Sequence, residues 1–315
     1  MAGSIPACAM GETRSSLTPA GLAWRRFRRN RPAVLAAGFL LLAGLALGLG
    51  PLVLPYAPDA FVGTPFSAPS AAHWWGTDVH GRDLLARVLA GARLSLLIGT
   101  LGTMVSLVIG VAWGAVAGYA GGRTDAILMR TVDILYSLPT VIIVIVVVTG
   151  LNGWLARSET AGGGRPDAAV VRLAGLFIGL GVVSWPTMAR IVRGEVLTLR
   201  VQPFVEASRS LGAGPVWILW RHILPNIAGV VIAYLALTMP GIVIYESFLS
   251  FLGLGLQPPQ ASLGSLIAEG AAGINPIRIY WWLVVFPAGT LASLLLALNF
   301  LGDGLRDVGD PRAPR

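Results

Sequence analysis

The side chains that could do chemistry in this chain are few, and their spacing builds no catalytic centre. The histidines His73, His80 and His222 lie too far apart to suggest a metal triad. All 23 basic residues are arginine, so the chain cannot form a lysine-containing phosphate loop, a Schiff base or a lysine general base. The lone Cys8 allows no internal disulfide and no thiolate metal cluster. We therefore expect no enzyme activity, no bound metal or cofactor, and no ATP binding of the usual kind by this chain itself.

Two acidic residues stand out because they lie within or beside apolar runs. Asp133 begins one such run and is expected to pair with Arg130 or with a neighbouring loop. Glu246 is flanked on both sides by about twenty uncharged positions, so it is expected to face the protein interior. We interpret Glu246 as a gating or structural hydrogen-bonding residue in preference to a proton-transfer group, since a proton relay needs further carboxylates at membrane depth.

The elements that position these side chains must lie in lipid. The 315 residues are 55% hydrophobic and only 12% charged, and the mean hydropathy is +0.74, which excludes a free-standing soluble globule. We predict an all-α polytopic membrane protein. Its six predicted transmembrane helices cover about 32–54, 94–118, 134–150, 173–189, 227–245 and 281–301.

The distribution of arginines predicts the orientation in the membrane. If the N-terminus is cytoplasmic, the cytoplasmic segments hold 16 arginines and the opposite side holds 7, as the positive-inside rule requires. Both termini are then cytoplasmic. The net charge of +8 does not indicate nucleic-acid binding, because the arginines are scattered among membrane spans and form no basic surface.

Residues 247–268 carry no charge and could be drawn as a seventh span. Pro258 and Pro259 in their middle would leave backbone groups unpaired in lipid. A seventh span would also place the C-terminal arginines outside, against the charge bias. We predict a broken segment that packs within the protein near the outer surface.

The second predicted span carries one continuous face of small residues. They fall at intervals of four: Gly102, Ser106, Gly110, Gly114, Gly118 and Gly122. Lipid supplies no hydrophobic drive between helices, so close approach over small residues is what holds such a pair together. We predict a packing helix at the centre of the bundle.

The segment 190–226 is longer than a turn between helices requires. Pro203 suits a first helical turn, and Glu206 then lies near the positive end of that helix. Gly212 suits a left-handed helix end, and Pro215 restarts the chain into a second short helix that we expect to close at Leu224-Pro225. Two interpretations remain: an amphipathic helix lying on the lipid surface, or a docking element for a soluble partner.

The residues of this segment resemble a known motif. Glu206-Ala207-Ser208, then Gly212, then Leu224-Pro225 is similar to the EAA loop of ABC importer permeases. Two departures are visible, because Ser208 replaces the third-position alanine and His222 occupies a position usually held by isoleucine. The resemblance extends from about residue 24 to 311 and implies the second permease type of dipeptide and oligopeptide importers. Its further matches are Gly76-Thr77-Asp78, Gly81-Arg82-Asp83, 91–96, 129–133, 249–255 with Gln257-Pro258-Pro259, and 299–307.

The resemblance implies a type I ABC importer permease fold and a heteromeric assembly in the bacterial inner membrane. The chain would pair with a homologous permease, two ATPase subunits carrying ATP and Mg²⁺, and a periplasmic or extracellular solute-binding protein. Its implied divisions are a cytoplasmic tail 1–24, an N-terminal helix and periplasmic segment 25–93, a permease core 94–302 containing the coupling loop 190–226, and a cytoplasmic tail 303–315. Glu206, Ala207, Ser208, Gly212, Leu224 and Pro225 would contact an ATPase.

Three other function classes are weighed against this one. A proton-coupled secondary transporter would need a pathway of intramembrane carboxylates, and Glu246 alone is available. An ABC exporter subunit could share a coupling helix, but the long outer segment containing Gly76-Thr77-Asp78 favours import. An intramembrane enzyme would need a nucleophile–base or metal arrangement that no spacing supports. The solute stays open among dipeptides, longer peptides, nickel chelates and glutathione.

Overall fold

The computed structural model of the chain describes residues 19–161, 168–256, 260–274 and 278–309. Within these ranges the regular structure is helical. The α-helices are α1 Pro19–Arg29, α2 Arg31–Val53, α3 Leu84–Ala120, α4 Gly122–Ser137, α5 Thr140–Ala161, α6 Ala168–Leu199, α7 Pro203–Ser210, α8 Pro215–Ile218, α9 Leu224–Phe251, α10 Leu263–Ala272 and α11 Trp282–Gly309. The prediction of an all-α protein is confirmed.

Five helices of the described chain are long and apolar enough to cross a bilayer. They are Arg31–Val53, Leu84–Ala120, Leu173–Leu199, Pro215–Phe251 and Trp282–Val308. A sixth candidate is a helix pair, Gly122–Ser137 with Thr140–Gly150, bent by 98° where its members meet. The predicted six transmembrane helices are therefore present if this bent pair counts as one span.

The third span differs from the prediction of one continuous helix at 134–150. The chain breaks at Leu138, whose backbone is extended at φ −93° and ψ 144°. Pro139 follows Leu138 and disfavours a helical conformation in the residue before it. The apolar run therefore divides between α4 and α5.

Four other predicted spans are shorter than the helices that contain them; the fourth, 173–189, lies within α6, Ala168–Leu199. The second begins ten residues earlier, at Leu84, because the carboxylate of Asp83 accepts a hydrogen bond from the Ala86 backbone N–H at 2.9 Å and caps the helix. The fifth extends to Phe251. The sixth continues to Gly309, so the predicted tail 303–315 starts as helix; residues 310–315 lie outside the described part, as does Cys8.

The packing of α3 against α6 forms the most extensive helix pair of the described structure. A Cβ atom added at Gly110 would lie 2.6 Å from the Cβ of Met188 and 2.9 Å from the Trp185 carbonyl oxygen, and one at Gly118 would lie 2.9 Å from the Arg193 carbonyl oxygen. Gly114 meets the same stretch of α6, Gly102 also contacts α9, and Ser106 is buried with them. Gly122 does not share this face, because it is the first residue of α4.

The uncharged stretch 247–268 does not form a seventh span in its described part. Helix α9 ends at Phe251, and Gly253 turns the chain at φ +78°. After Pro258 and Pro259, which lie outside the described residues, Ser262 caps the ten-residue α10. Helix α10 packs against α3, α9 and α11, in agreement with the expectation of a broken segment held within the protein.

The N-terminal span is fastened to the last helix. Helix α2 packs along α11, and Asn30 both caps α2 through the Ala33 N–H and donates its side-chain N–H to Asp307 at 3.1 Å. A Cβ at Gly304 would collide with Ala33, so the helices cross there in close contact. The first span is thus part of the bundle.

Candidate functional site

The predicted start of the coupling loop at residue 190 is wrong, because α6 continues to Leu199. We call the remaining residues, 200–226, the coupling segment after the motif that they resemble; its first helix is α7. Pro203 occupies its first turn together with Glu206. Helix α7 ends at Ser210; Gly212, two residues later, has a φ of +85°, and the Ala213 N–H donates to the Ser208 carbonyl oxygen at 3.1 Å. This is a Schellman motif, which needs a residue without a Cβ at the left-handed position. The first arm of the segment is therefore an independently capped helix.

The second arm differs from the prediction of a short helix closing at Leu224-Pro225. From Pro215 the helix continues without interruption to Phe251. A π-helical turn at 219–223 places the Leu224 N–H on the Leu219 carbonyl oxygen. Pro225 has no N–H to donate, and a widened turn relieves the clash of its ring with the preceding carbonyls. Pro215 therefore begins one long helix, and Pro225 is accommodated within it by the widened turn.

The segment is anchored to the membrane helices on one side and exposed on the other. Val205, Ile218 and Ile223 are fully buried in one apolar cluster with residues of α6 and α9. Of the predicted motif residues, Glu206, Ala207, Gly212 and Pro225 are exposed, and Ser208 and Leu224 are half-buried. The exposed face also carries Val201, Phe204, Leu211, Val216, Trp217 and Trp220. An exposed apolar patch of this kind indicates contact with a partner or with lipid.

The two departures from the motif contact each other. The Ser208 hydroxyl lies 3.1 Å from Nε2 of His222, within hydrogen-bond distance. The His222 ring also makes an edge contact with Trp217, with the ring centroids 5.0 Å apart. This interaction joins α7 to the long helix across the turn. The two positions are fourteen residues apart, and nothing in the local pattern pairs them.

Glu246 lies at a junction of helices. Its side chain is fully buried and accepts hydrogen bonds from the hydroxyls of Ser95 and Ser250 at 2.8 Å and of Ser247 at 3.3 Å. Ser95 belongs to α3, and its hydroxyl oxygen also accepts from the Leu263 N–H at the start of α10, at 3.3 Å. Glu246 thus connects α9 to α3 and, through Ser95, to α10.

A buried ionic network, which the sequence reasoning missed, lies at the start of α3. Asp78 accepts from Arg82 Nε and from Arg87 Nη1, both at 2.7 Å. Arg87 also makes a two-pronged ion pair with Glu269 of α10, at 2.5 and 3.1 Å. The sequence did show two arginines, Arg82 and Arg87, beside a predicted span. It gave no indication of their partner, because Glu269 lies 182 residues from Arg87.

Burial alone would raise the pKa of Asp78. Hydrogen bonds from the backbone and side chain of Arg82, from the His80 N–H, and the charge of Arg87 outweigh it, so the pKa lies below its ordinary value. The network therefore holds Asp78 ionised at neutral pH and ties the segment 54–83 to α3 and α10.

Asp133 was expected to pair with Arg130 or with a neighbouring loop. Its carboxylate accepts from Nη2 of Arg190 at 2.7 Å, so Arg130 is not the partner; Arg190 is the first residue of the predicted loop 190–226, but it lies in α6. Helix α4 packs against α6, and Arg190 lies over the Tyr136 ring, 4.1 Å from its centroid. The Tyr136 hydroxyl is 2.6 Å from that of Thr187. We call Asp133, Tyr136, Thr187 and Arg190 the α4–α6 polar cluster.

No described group of three or more His, Cys, Asp or Glu side chains is placed to hold a metal ion. The described arrangement consists of a capped, exposed helix fixed to two membrane helices and of polar junctions that join helices within the bundle. It defines a polytopic helical membrane protein with an exposed helical element at one end of the bundle.

Comparison with known proteins agrees with this class. The family described as the binding-protein-dependent transport system inner membrane component matches residues 110–314, and the N-terminal TM domain of oligopeptide transport permease C matches residues 18–70. The chain belongs to this family of inner-membrane transport components.

Curated relatives cover nearly the whole chain. The oligopeptide transport system permease protein OppC of Haemophilus influenzae is 40% identical over 91% of this chain and 87% of its own length. The dipeptide transport system permease protein DppC of Bacillus subtilis is 38% identical over 96% of this chain and 88% of its own. Among solved structures, an inward-facing MetNI methionine ABC transporter aligns at TM-score 0.52 and 21% identity, over 71% of this chain and 97% of that one. This likeness confirms the ABC importer permease fold.

Proposed function

We propose that this chain is a permease subunit of an ATP-driven, binding-protein-dependent importer for dipeptides or oligopeptides. The relatives named for peptide transport support the solute class. The observation that carries the mechanism is the coupling segment: α7 is capped at Gly212, exposed at Glu206 and anchored through Val205. The partners are a homologous permease, two ATPase subunits that bind ATP and Mg²⁺, and a solute-binding protein. The chain itself hydrolyses nothing.

The geometry explains how movement at this segment would reach the membrane. Helix α6 leads into the segment at Leu199, and one helix from Pro215 to Phe251 leaves it. Val205 and Ile218 are packed among α6 and α9 side chains, and a close-packed interior transmits displacement because it deforms little. Closure of the ATPases on ATP would move α7 and, with it, the inner ends of α6 and α9. The solute pathway would thereby switch from one of its two conformations to the other.

This function requires the coupling segment to face the cytoplasm. The arginine bias of 16 against 7 supports that orientation, with both termini on the same side.

The proposed function also predicts the energy source. Transport should stop on ATP depletion and persist when a protonophore collapses the proton gradient. The reverse result would identify a proton-coupled transporter.

The test uses two variants of the reconstituted assembly. Glu206→Ala removes an exposed carboxylate from α7, and Gly212→Val places a branched side chain at φ +85°, which costs roughly 1–2 kcal/mol and distorts the cap. We expect weaker ATPase docking and ATP hydrolysis no longer coupled to uptake. Gly214→Val is the control, since Gly214 has an extended backbone at φ −71° and ψ 157°. Normal coupled transport by both test variants would refute the assignment.

A further inference from the structure

The start of the first spanning helix carries a dense group of arginines. Five of the seven residues from 25 to 31 are arginine, and we call this stretch the arginine cluster. Its members Arg25, Arg28, Arg29 and Arg31 are exposed. Within the described part of the chain, none of these four side chains forms an ion pair. Their charges are therefore available to an anion from outside the chain.

The arginine cluster is held beside the end of α11. Helix α1 packs on α11, and Asn30, within the cluster, donates its side-chain N–H to Asp307 at 3.1 Å. The other charged residues of α11 are Asp303 and Arg306, both exposed. Positive charge thus exceeds negative charge where α1, α2 and α11 meet.

An apolar groove of about 430 Å³ runs between α2 and α11 from this point. On α2 it begins at Pro32, directly after Arg31, and extends to Phe39, about 10 Å along the helix at 1.5 Å per residue. Two buried alanines form its floor and exposed leucine and phenylalanine side chains form its rims: Ala36 and Ala297, with Leu35, Phe39, Leu296 and Phe300. Among the described lining residues one hydroxyl is present, that of Ser293, and it donates to the Thr290 carbonyl oxygen of its own helix.

The position of the groove places it against lipid. Helix α2 is the least covered of the five long spanning helices of the described chain: 17% of its most apolar stretch is buried, against 28–56% in the others. A narrow slot with an alanine floor and bulky apolar rims accommodates a hydrocarbon chain, because lipid tails are as apolar as leucine.

A transmembrane helix of a partner suits this groove less well than a lipid. Helices approach each other closely over small residues, and the open glycines of α2, Gly44 and Gly48, lie beyond the groove. Helix ends on the arginine-rich side of a membrane are themselves basic, so such a helix would bring like charge to the arginine cluster. The headgroup of an anionic phospholipid brings the opposite charge.

We propose that an anionic phospholipid binds at this place, with its phosphate among the arginine cluster and one acyl chain in the groove between α2 and α11. Guanidinium groups bind phosphate oxygens in a two-pronged geometry, and the adjoining groove accepts the chain that the same molecule carries. The bound lipid joins α1, α2 and α11, and its binding does not depend on the solute that the assembly transports.

The test measures binding of a phosphatidylglycerol probe whose acyl chain carries a photoactivatable diazirine. The probe is titrated onto the detergent-solubilised assembly containing the full chain, and labelled residues are located by mass spectrometry after irradiation. Unlabelled phosphatidylglycerol and zwitterionic phosphatidylethanolamine are the competitors. We expect labelling within 32–39 and 293–300, and we expect phosphatidylglycerol to compete at concentrations roughly fivefold or more below those needed for phosphatidylethanolamine.

One pair of double variants tests the headgroup contact. Arg28→Gln with Arg31→Gln should raise the probe concentration for half-saturation roughly 10- to 30-fold, at about fivefold for each arginine. Arg123→Gln with Arg130→Gln is the matched control, because it removes two exposed arginines from α4 and the same total charge. This control should leave half-saturation unchanged.

A second pair tests the acyl-chain contact. Leu35→Ala with Leu296→Ala removes exposed apolar side chains from both rims and should raise the half-saturating concentration about threefold or more. Leu41→Ala with Leu45→Ala is the control, since these exposed leucines lie on the side of α2 opposite to Ala36. All the substituted side chains are exposed, so each variant should elute as the intact assembly.

Equal competition by the two lipids, or unchanged half-saturation in the arginine double variant, would show ordinary contact with bulk lipid and would overturn the proposal. Photo-crosslinking of a benzoylphenylalanine at position 296 to the partner permease would show that a helix of that subunit fills the groove, and would overturn it as well.

Discussion

Replacing Gly110 by alanine should weaken the packing of α3 on α6. The added Cβ would lie 2.6 Å from the Cβ of Met188, 2.8 Å from its Cγ and 2.9 Å from the Trp185 carbonyl oxygen. Ordinary contacts begin near 3.4 Å, and two of the three atoms are fixed to the α6 backbone, so no side-chain rotation relieves the clash. The helices must separate by several tenths of an ångström, and Gly114 and Gly118 then lose contact as well. Overpacking of this kind costs about 1–3 kcal/mol.

The matched control is Gly194→Ala, on the exposed side of α6, where a Cβ meets nothing within 4 Å. Both exchanges gain the same helix propensity, about 0.5–1 kcal/mol, so this term cancels in the difference between them and isolates the packing cost. The assay is the temperature at which the detergent-solubilised assembly loses its monodisperse elution peak. We expect the midpoint for Gly110→Ala to lie roughly 2–10 °C below that for Gly194→Ala. Equal midpoints, or a more stable Gly110→Ala, would show that the small-residue face does not hold the pair.

Three further predictions concern the other clusters. Arg87→Met should destabilise the assembly by about 3–5 kcal/mol, because Asp78 and Glu269 lose a buried cation, and adding Glu269→Gln should restore part of the thermal stability; no restoration would contradict the pairing. In the folded chain the pKa of Asp78 lies below its ordinary value of 3.8. The stabilisation that its carboxylate gives to the fold is therefore complete above pH 3.8 and is lost as the pH falls through the folded pKa. Thermal midpoints measured from pH 6 to 3 should fall less steeply for Asp78→Asn than for the unmodified chain. A double-mutant cycle of Ser208→Ala and His222→Ile should give a coupling of about 0.5–1.5 kcal/mol in thermal unfolding, and strictly additive effects would show that the contact contributes nothing.

The sequence is sufficient for the features that local chemistry determines. The lack of charge predicts the spans, the four-residue interval of glycines predicts the helix face that meets α6, and Pro203 and Gly212 predict where α7 begins and ends. Each of these depends on a few neighbouring residues and on the absence of water from the bilayer.

The features that the sequence could not provide depend on distant residues. Arg87 and Glu269, and Ser95 and Glu246, are brought together only by the packing of α10 and α3 around α9. Asp133 and Arg190 likewise meet only through the packing of α4 against α6. A pattern within one window does not contain these distances.

Cross-linking at position 206 tests the central claim most directly. In a Cys8→Ser background, Glu206→Cys is treated with a short bifunctional thiol reagent in membranes containing the full assembly. The control is Phe61→Cys, which is exposed in the segment 54–83 and is proposed to lie on the opposite side of the membrane. Our account predicts a product joining Glu206→Cys to the ATPase subunit, with a yield that changes when ATP is added, and no such product for Phe61→Cys. Modification of Glu206→Cys by a membrane-impermeant reagent applied outside intact cells, or products with lipid alone, would contradict it.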